Sequence, residues 1–189
     1  MTTHTMTRAA LAATLAGGLA LAGFAPAAHA AQTRDAAAAQ AAPARHGSTT
    51  ARAAFGPYGY GGVKLGMSAK TAKATGKVVY KRGLGSVTCS GWDLKAHRND
   101  RNSVGLYISK KRGVAVMFAP KHARTPQGIG LGSTHKQIKR AYPKVKTAAS
   151  GFPYVKAPGN PKAYYSFLLD DKGRVYEMAL GLLSQDCVN

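Results

Sequence analysis

Alternation of apolar and polar positions predicts antiparallel strands along most of the second half of the chain. Residues 174–183 show it best, because Glu177 points away from a row of apolar side chains, Tyr176, Met178, Leu180 and Leu182. The sequence Asp-Asp-Lys-Gly at 170–173 is typical of a hairpin turn back to a strand at 163–169, with Gly173 where positive φ is needed. Shorter strands are predicted at residues 87–94, 104–109, 113–119, 145–147 and 153–155.

Capping residues predict two short helices. Ser68 and Thr134 each precede such a run, and a hydroxyl at this position accepts a hydrogen bond from a free backbone N–H. Gln137 stands three residues after Thr134, which indicates a capping box. The first helix should end near Gly76 and the second before Pro143, because the residue preceding proline disfavours α geometry.

Both helices belong to an internal repeat, since residues 62–73 align with residues 128–139 at a shift of 66 positions. The identical pairs are Gly62/Gly128, Leu65/Leu131, Gly66/Gly132, Lys70/Lys136 and Lys73/Lys139. Each copy is followed by strand-like segments. We therefore predict an α+β fold of two tandem units, each a short helix plus an antiparallel meander, forming one domain over residues 58–189 with pseudo-repeats 58–123 and 124–189.

The first thirty residues have the pattern of a secretory signal peptide. A basic start with Arg8 precedes an apolar run at 9–25, and Ala28 and Ala30 form an A-x-A site that predicts cleavage before Ala31. A transmembrane anchor is the alternative, but the run is Ala-rich and interrupted by glycines, whereas a spanning helix needs about 20 strongly apolar residues. Phe24 stands where a bacterial lipoprotein would have cysteine. We expect a secreted protein without a transmembrane segment, and association with the cell wall stays open.

Residues 31–57 are predicted to form a flexible Ala-rich tether. Residues 31–54 contain no aromatic side chain and cannot bury enough apolar area to offset the entropy lost on ordering. The stretch of aromatic residues and glycines at 55–62 then leads into the folded domain.

Two cysteines, Cys89 and Cys187, are the only ones in the chain. In an oxidising compartment such a pair predicts a disulfide, which would join the two units and restrict the unfolded chain by about 4 to 5 kcal/mol in the loop-entropy model. A catalytic or metal-binding thiol is the alternative, but neither cysteine has a Cys or His nearby at ligand spacing.

The strong positive charge of the chain favours anionic partners. The chain has a formal net charge of +20, and residues 31–189 carry one less, +19, because Arg8 is the one charged residue before them. Such a protein is attracted to wall polymers, lipid head groups, acidic proteins or, less favoured here, nucleic acid. A solvated, soluble surface explains the same charge. The candidate polyanion-binding residues lie on or just after the two helices: Lys70, Lys73, Lys77, Lys81, Arg82, Lys136, Lys139 and Arg140.

Catalytic signatures are weak. His97 in the polar run at 95–102 could act as a general base with Asp93 or Asp100, but a polar loop is much the better explanation. No two histidines have zinc spacing, no carboxylate cluster indicates calcium, and no nucleophile elbow occurs. The sequence predicts no cofactor and no metal. It favours a non-enzyme, with a secreted enzyme acting on wall or extracellular material through His97 or His122 as the alternative.

The repeated unit resembles two known groups. Its apolar-x-apolar-Gly-Met-Ser entry, in residues 63–72 and 129–138, is similar to the modules of small outer-membrane-assembly lipoproteins and of the β-lactamase-inhibitory protein type. The chain from about residue 58 onward also resembles a class of secreted actinobacterial proteins of unassigned function, which has residues similar to Cys89, residues 124–126 and residues 128–132.

The resemblance to the inhibitory modules implies a concave sheet that binds protein. Two departures weaken the likeness to the inhibitor: this chain can form one disulfide rather than one in each unit, and its segment 77–86, expected to be a loop, contains Lys77, Lys81 and Arg82 but no acid. We therefore expect a non-catalytic secreted binding module for a secreted or envelope protein or an anionic wall polymer.

Overall fold

The computed structural model describes residues 54–188, which form a mostly β fold with two short helices. The predicted signal peptide and the predicted tether up to residue 53 lie outside the described residues. None of the helices in this part of the chain is long and apolar enough to cross a membrane. The elements are β1 Gly59–Tyr60, β2 Val63–Lys64, α1 Ala69–Ala74, β3 Val78–Gly85, β4 Cys89–Leu94, β5 Leu106–Ser109, β6 Gly113–Phe118, α2 His135–Ala141, β7 Lys146–Thr147, β8 Pro153–Lys156, β9 Ala163–Leu169 and β10 Val175–Leu182.

Eight of the strands form one antiparallel sheet in the order β3-β4-β5-β6-β10-β9-β8-β7. The order is sequential from β3 to β6 and reversed from β10 to β7, so that β6 and β10 pair at the centre. In this central pair Leu180 lies opposite Met117 and Ala179 lies opposite Phe118. β1 and β2 form a separate two-stranded hairpin.

The hydrophobic core lies between one face of the sheet and the two helices. Ala72 of α1 and Ile138 of α2 are fully buried against it, and the largest sheet residues in the same cluster include Leu106, Tyr165 and Phe167. Helices of six and seven residues are too short to be stable alone. Their packing on the sheet therefore provides most of their stability.

The predicted helix caps are confirmed. The Ser68 hydroxyl accepts a hydrogen bond from the Thr71 N–H at 3.1 Å. Thr134 accepts from the Gln137 N–H at 3.2 Å while Gln137 Oε1 accepts from the Thr134 N–H at 2.7 Å, which completes the capping box. The first helix ends two residues before Gly76, whose φ is 68°, and α2 ends two residues before Pro143.

Segment 77–86 is a strand for most of its length, and the expectation of a loop there was wrong. β3 pairs with β4 in a register that places Val78 opposite Leu94 and Tyr80 opposite Trp92. Its basic residues and glycines conceal the strand pattern in the sequence, but an edge strand tolerates both because one side has no neighbour.

The alternation predicted for residues 174–183 breaks at Tyr176. The pairing of β10 with β9 shifts between Val175 and Glu177, so that one residue of β10 is left without a partner. Tyr176 is 52 % exposed, whereas Val175 and Met178 are buried in the core. Because of this bulge Tyr176 does not share the core face with Met178, although Glu177 lies on the face opposite to Met178 as expected.

Phe55, at the end of the segment predicted as a tether, is a core residue. It is fully buried, its N–H donates to the Arg124 carbonyl at 2.8 Å, and its carbonyl accepts from the Tyr165 hydroxyl at 2.8 Å. The ordered domain therefore includes the start of the aromatic–glycine stretch, before the predicted domain boundary at residue 58.

Candidate functional site

The face of the sheet opposite the helices is partly uncovered, and we call it the open face. Its residues follow from the strand registers, since they alternate with the core residues. Most of its large side chains are partly exposed and apolar or aromatic. The open face includes Tyr107, Val116, Phe118, Tyr154, Tyr164, Ser166, Leu168, Glu177, Ala179 and Gly181, and at its β7–β8 edge the exposed Lys146 and Lys156, which lie opposite Tyr154 and Tyr164.

Small residues lie along the middle of the open face, with large ones on either side. Ala179 of β10 is opposite both Phe118 of β6 and Ser166 of β9, and Ser166 is opposite Tyr154 of β8. This row across four strands therefore has an aromatic ring at each end and short side chains between. The result is a trough rather than a flat surface.

A groove of about 480 Å³ occupies this trough, and we call it the sheet groove. It lies over β6, β10, β9 and β8 and is closed at its ends by the β7–β8 connection and by the C-terminal segment. Its lining residues are Val116, Phe118, Ala148, Ser150, Phe152, Pro153, Tyr154, Tyr164, Ser166, Leu168, Glu177, Ala179, Leu183 and Val188.

Glu177 is the one charged side chain that lines the sheet groove among residues 54–188. Its cross-strand partner is Leu168. Burial among apolar neighbours raises the pKa of the Glu177 carboxyl, because desolvation penalises its charged form. Within the described part of the chain it has no ion-pair partner.

The C-terminal segment, residues 183–188, covers one end of the open face. The predicted disulfide is confirmed: Cys187 in this segment is bonded to Cys89 at the start of β4, with their Cα atoms 5.6 Å apart. Cys187 and Val188 pack against Ala179 and the neighbouring β6 residues. Burial raises the pKa of the Tyr164 phenol, and a hydrogen bond with Gln185 of the segment partly offsets this.

A polar cluster surrounds Asp93 of β4. The buried Asp93 carboxylate accepts hydrogen bonds from the Gly105 N–H at 2.9 Å, from the Asn99 N–H at 3.1 Å and from Asn99 Nδ2 at 2.9 Å. Lys81 Nζ lies 3.3 Å from Asp93 Oδ2 and also donates to the carbonyls of Asn99, Asp100 and Ser103. The cluster fixes the β4–β5 connection to the sheet.

The structure separates the predicted polyanion-binding residues. Lys70 and Lys73 on α1, and Lys136, Lys139 and Arg140 on α2, are exposed on the helix layer, on the side of the sheet away from the open face. Lys77 and Arg82 are also exposed. Lys81 is held in the Asp93 cluster, with a side chain only 15 % exposed, so its charge is already neutralised. Sequence alone could not distinguish Lys81 from its neighbour Arg82, because the distinction depends on strand register.

None of the three histidines considered from the sequence has a carboxylate to orient it. The ring of His97 packs at a tilt against Tyr60, with ring centroids 5.6 Å apart, and the oxygens of Asp93, one of its two proposed partners, are occupied by the cluster described above. His122 is exposed in the loop after β6, and His135 is the first residue of α2. Neither His97 nor His122 is therefore positioned to act as an activated general base.

The group Cys89, Asp186 and Cys187 brings three potential ligand atoms within 4.8 Å of one another. Both sulfurs are bonded in the disulfide, so neither can supply the thiolate that a metal ion requires. This cluster is therefore a structural disulfide and not a metal centre.

A larger groove, of about 890 Å³, lies beyond the end of α2 against β8. Its floor is formed by apolar residues such as Tyr142, Val155 and Ala157, and Lys144, Lys146 and Lys156 lie along it. The charged residues that line it are basic, whereas the charged residue that lines the sheet groove, Glu177, is acidic.

Comparison of the chain with protein-family models, with curated proteins and with solved structures gave no match. The site is therefore interpreted from its own residues.

Proposed function

We propose that the protein is a secreted, non-catalytic binding module that uses the open face to bind another protein. The single observation that carries this proposal is the row of partly exposed aromatic and aliphatic side chains around the sheet groove, which neither α1 nor α2 covers. Aromatic residues around a trough of this kind are the typical anchors of protein interfaces. Export is supported by the pattern of the first thirty residues and by the disulfide.

We further propose that the domain consists of two copies of one helix-plus-meander unit. The element order supports this, because α1 precedes four sequential strands, β3 to β6, and α2 precedes four more, β7 to β10. On this view the disulfide joins the two units, and the sheet groove lies across the β6–β10 pair where they meet.

Backbone hydrogen bonds repeat in the two proposed units. In the first, the Gly66 N–H donates to the Val114 carbonyl at 2.9 Å and the Val114 N–H donates to the Met67 carbonyl at 2.8 Å. In the second, Gly132, Val175 and Ser133 make the same pair of bonds, at 2.8 Å and 2.8 Å. Gly66 and Gly132 have φ values of 79° and 82°, which favour glycine. Identical turns at aligned positions support a common unit.

The test is capture from the producer's culture and envelope with three immobilised versions of the protein. The first is the wild-type chain, and the second carries Phe118→Ala and Tyr154→Ala on the open face. The third carries Lys136→Gln, Lys139→Gln and Arg140→Gln on the helix layer. Thermal unfolding of each version verifies that it is folded. We expect one protein to be captured at high salt by the wild type and by the helix-layer variant but not by the open-face variant.

A different result would contradict the proposal. Equal capture by the wild type and the open-face variant would exclude the open face as the interface. An absence of any salt-resistant protein in all three samples would remove protein binding as the function.

An anionic wall polymer bound to the helix layer is the second candidate. The observation that favours it is the exposure of basic residues on both helices: Lys70, Lys73, Lys136, Lys139 and Arg140. Electrostatic binding of this kind weakens steeply with salt. In the same experiment it would appear as polymer retained at low salt, lost at high salt, and reduced in the helix-layer variant alone.

A further inference from the structure

The charge of the sheet groove is opposite to that of the whole protein. The chain carries 27 basic and 7 acidic residues, yet no lysine or arginine lines this groove and Glu177 does. The other titratable lining groups are the phenols of Tyr154 and Tyr164. Lys146 and Lys156 lie on the same face but outside the lining of the groove, so an anionic ligand in the groove would meet a carboxylate without a basic lining residue to oppose it.

Two other acids of the domain have internal partners that explain their presence. Asp93 is paired with Lys81, and Asp170 accepts from the N–H groups of Lys172 and Arg174 at 3.0 Å and 2.7 Å within the hairpin turn. Glu177 has no such ion pair among residues 54–188, although it is partly withdrawn from water. A half-buried carboxylate without a cation is unfavourable for folding, and it becomes favourable when a ligand supplies the cation.

The neighbours of Glu177 complement a positively charged group with an apolar stem. Phe118, Phe152 and Tyr154 supply aromatic rings along the groove, and Leu168 lies directly across from Glu177. Aromatic faces attract ammonium and guanidinium groups, and apolar walls pack against the methylene stems of lysine and arginine. Ser166 and Ala179 leave room between the rings because their side chains are short.

We propose that the sheet groove binds a cationic side chain, arginine or lysine, of the partner protein, with the Glu177 carboxylate as its counter-charge. This rests on the proposed function and specifies the chemistry that the open face recognises. The partner then inserts a basic side chain into this acidic groove, although the protein as a whole is strongly basic. The surrounding rings exclude water from the ion pair. Glu177 determines which side chain is accepted, and the rings provide most of the contact area.

The test uses two short peptides that differ in charge alone. One is acetyl-Gly-Arg-Gly-amide, and the other has neutral citrulline in place of arginine. Each is titrated into the full secreted protein while backbone amide chemical shifts are recorded. The protein is used as wild type, as Glu177→Gln, and as Asp171→Asn, a matched control that removes an exposed carboxylate in the β9–β10 turn.

We expect the arginine peptide to bind the wild type and the Asp171→Asn control at least about tenfold more tightly than the citrulline peptide, as for a charge-assisted hydrogen bond. The shifts should fall on β6, β10, β9 and β8. In Glu177→Gln the preference should fall to less than about twofold. Protonation of Glu177 should have the same effect as this substitution. As the pH falls, binding of the arginine peptide should begin to weaken at a higher pH than it would for an ordinary glutamate, since burial raises the pKa of Glu177. The other titratable groups that line the groove are the phenols of Tyr154 on β8 and Tyr164 on β9, and β6 and the C-terminal segment contribute none.

Three results would overturn the inference. They are equal affinity for the two peptides, shifts located away from these strands, and an undiminished preference in Glu177→Gln. A complete lack of shifts at millimolar peptide has the same meaning. The capture experiment distinguishes this failure from failure of the proposed function: a partner lost from the Phe118/Tyr154 variant but fully retained by Glu177→Gln leaves the function standing and removes the cationic anchor.

Discussion

The two faces of the eight-stranded sheet are stabilised by different means. The helix-covered face is a continuous apolar core, in which Leu106, Tyr165 and Phe167 are fully buried beneath α1 and α2. On the other side only a small cluster is buried, Ala115, Val116 and Ala179; there the Lys81–Asp93 cluster fixes the β4–β5 connection and the disulfide fixes the C-terminal segment. Burial therefore maintains one face, whereas specific polar and covalent links maintain the shape of the other.

This contrast accounts for an accessible groove in a small domain. A sheet of eight strands needs one well-packed face for stability, and here a single core provides it. The opposite face can then keep partly exposed aromatic side chains, such as Phe118, Tyr154 and Tyr164. The predictions below compare the two faces, beginning with the largest effect on the free energy of unfolding.

Removing a large side chain should destabilise the protein far more on the helix-covered face than on the open face. Phe167→Ala should lower the free energy of unfolding by about 3 to 5 kcal/mol, since Phe167 is fully buried and the change leaves a cavity. Phe118→Ala should cost less than about half as much, because Phe118 is already partly exposed. Urea unfolding measures both values. Equal losses would mean that the open face is a second core.

Breaking the Asp93 cluster should have the next largest effect. Lys81→Met leaves a buried carboxylate without its cation and should cost about 3 kcal/mol. Arg82→Met, on the adjacent exposed residue, is the matched control and should change stability by less than about 0.5 kcal/mol. The same unfolding experiment compares them, and similar values for the two variants would show that the cluster does not stabilise the fold.

Removing the disulfide should cost about 2 to 4 kcal/mol, since Cys89 and Cys187 are 98 residues apart and their bond restricts the unfolded chain. The double variant Cys89→Ala/Cys187→Ala should also release the C-terminal segment, which amide hydrogen exchange at residues 183–188 would detect. Protection unchanged from the wild type would show that packing alone holds this segment.

The caps of the two helices should have a smaller effect, limited to the covered face. Thr134→Ala removes one partner of a complete capping box and should cost about 1 kcal/mol. Ser68→Ala removes a single accepted bond and should cost less. Thermal unfolding ranks the two, and a larger loss for Ser68→Ala would contradict the importance of the box.

Glu177→Gln should produce the smallest change, and of the opposite sign. Because the folded-state pKa of Glu177 is raised above its ordinary value of 4.5, the folded protein holds this proton more tightly than the unfolded chain. The ionised carboxylate therefore lowers stability once the pH exceeds the ordinary value. The variant should melt slightly higher than the wild type at pH 7, and the difference should vanish well below pH 4.5. A lower melting temperature at pH 7 would show that Glu177 stabilises the fold.

Local signals in the sequence predicted the local structure well. The caps at Ser68 and Thr134, the hairpin ending at Gly173 and the Cys89–Cys187 bond are confirmed, because each depends on a few residues with a definite conformational preference. Strand β3 was missed because its positive charges and glycines outweigh the short Val-Val-Tyr pattern at its start.

The candidate site was much less predictable. The sheet groove combines residues of β6, β8, β9 and β10, and nothing in the sequence indicates that β6 pairs with β10. The Lys81–Asp93 pair depends in the same way on the register between β3 and β4. Glu177 gave one signal, as a lone acid in an apolar strand, but its meaning required the aromatic residues that the fold places around it.

The edges of the sheet determine whether further strands can add to it. β3 at one edge contains Gly83 and Gly85 with positive φ and an irregular register, and β7 at the other edge is only two residues long and includes an exposed lysine. Irregular, short and charged edges resist pairing with another chain. These edges therefore protect the domain from aggregation by strand addition, even though one face of its sheet is partly exposed.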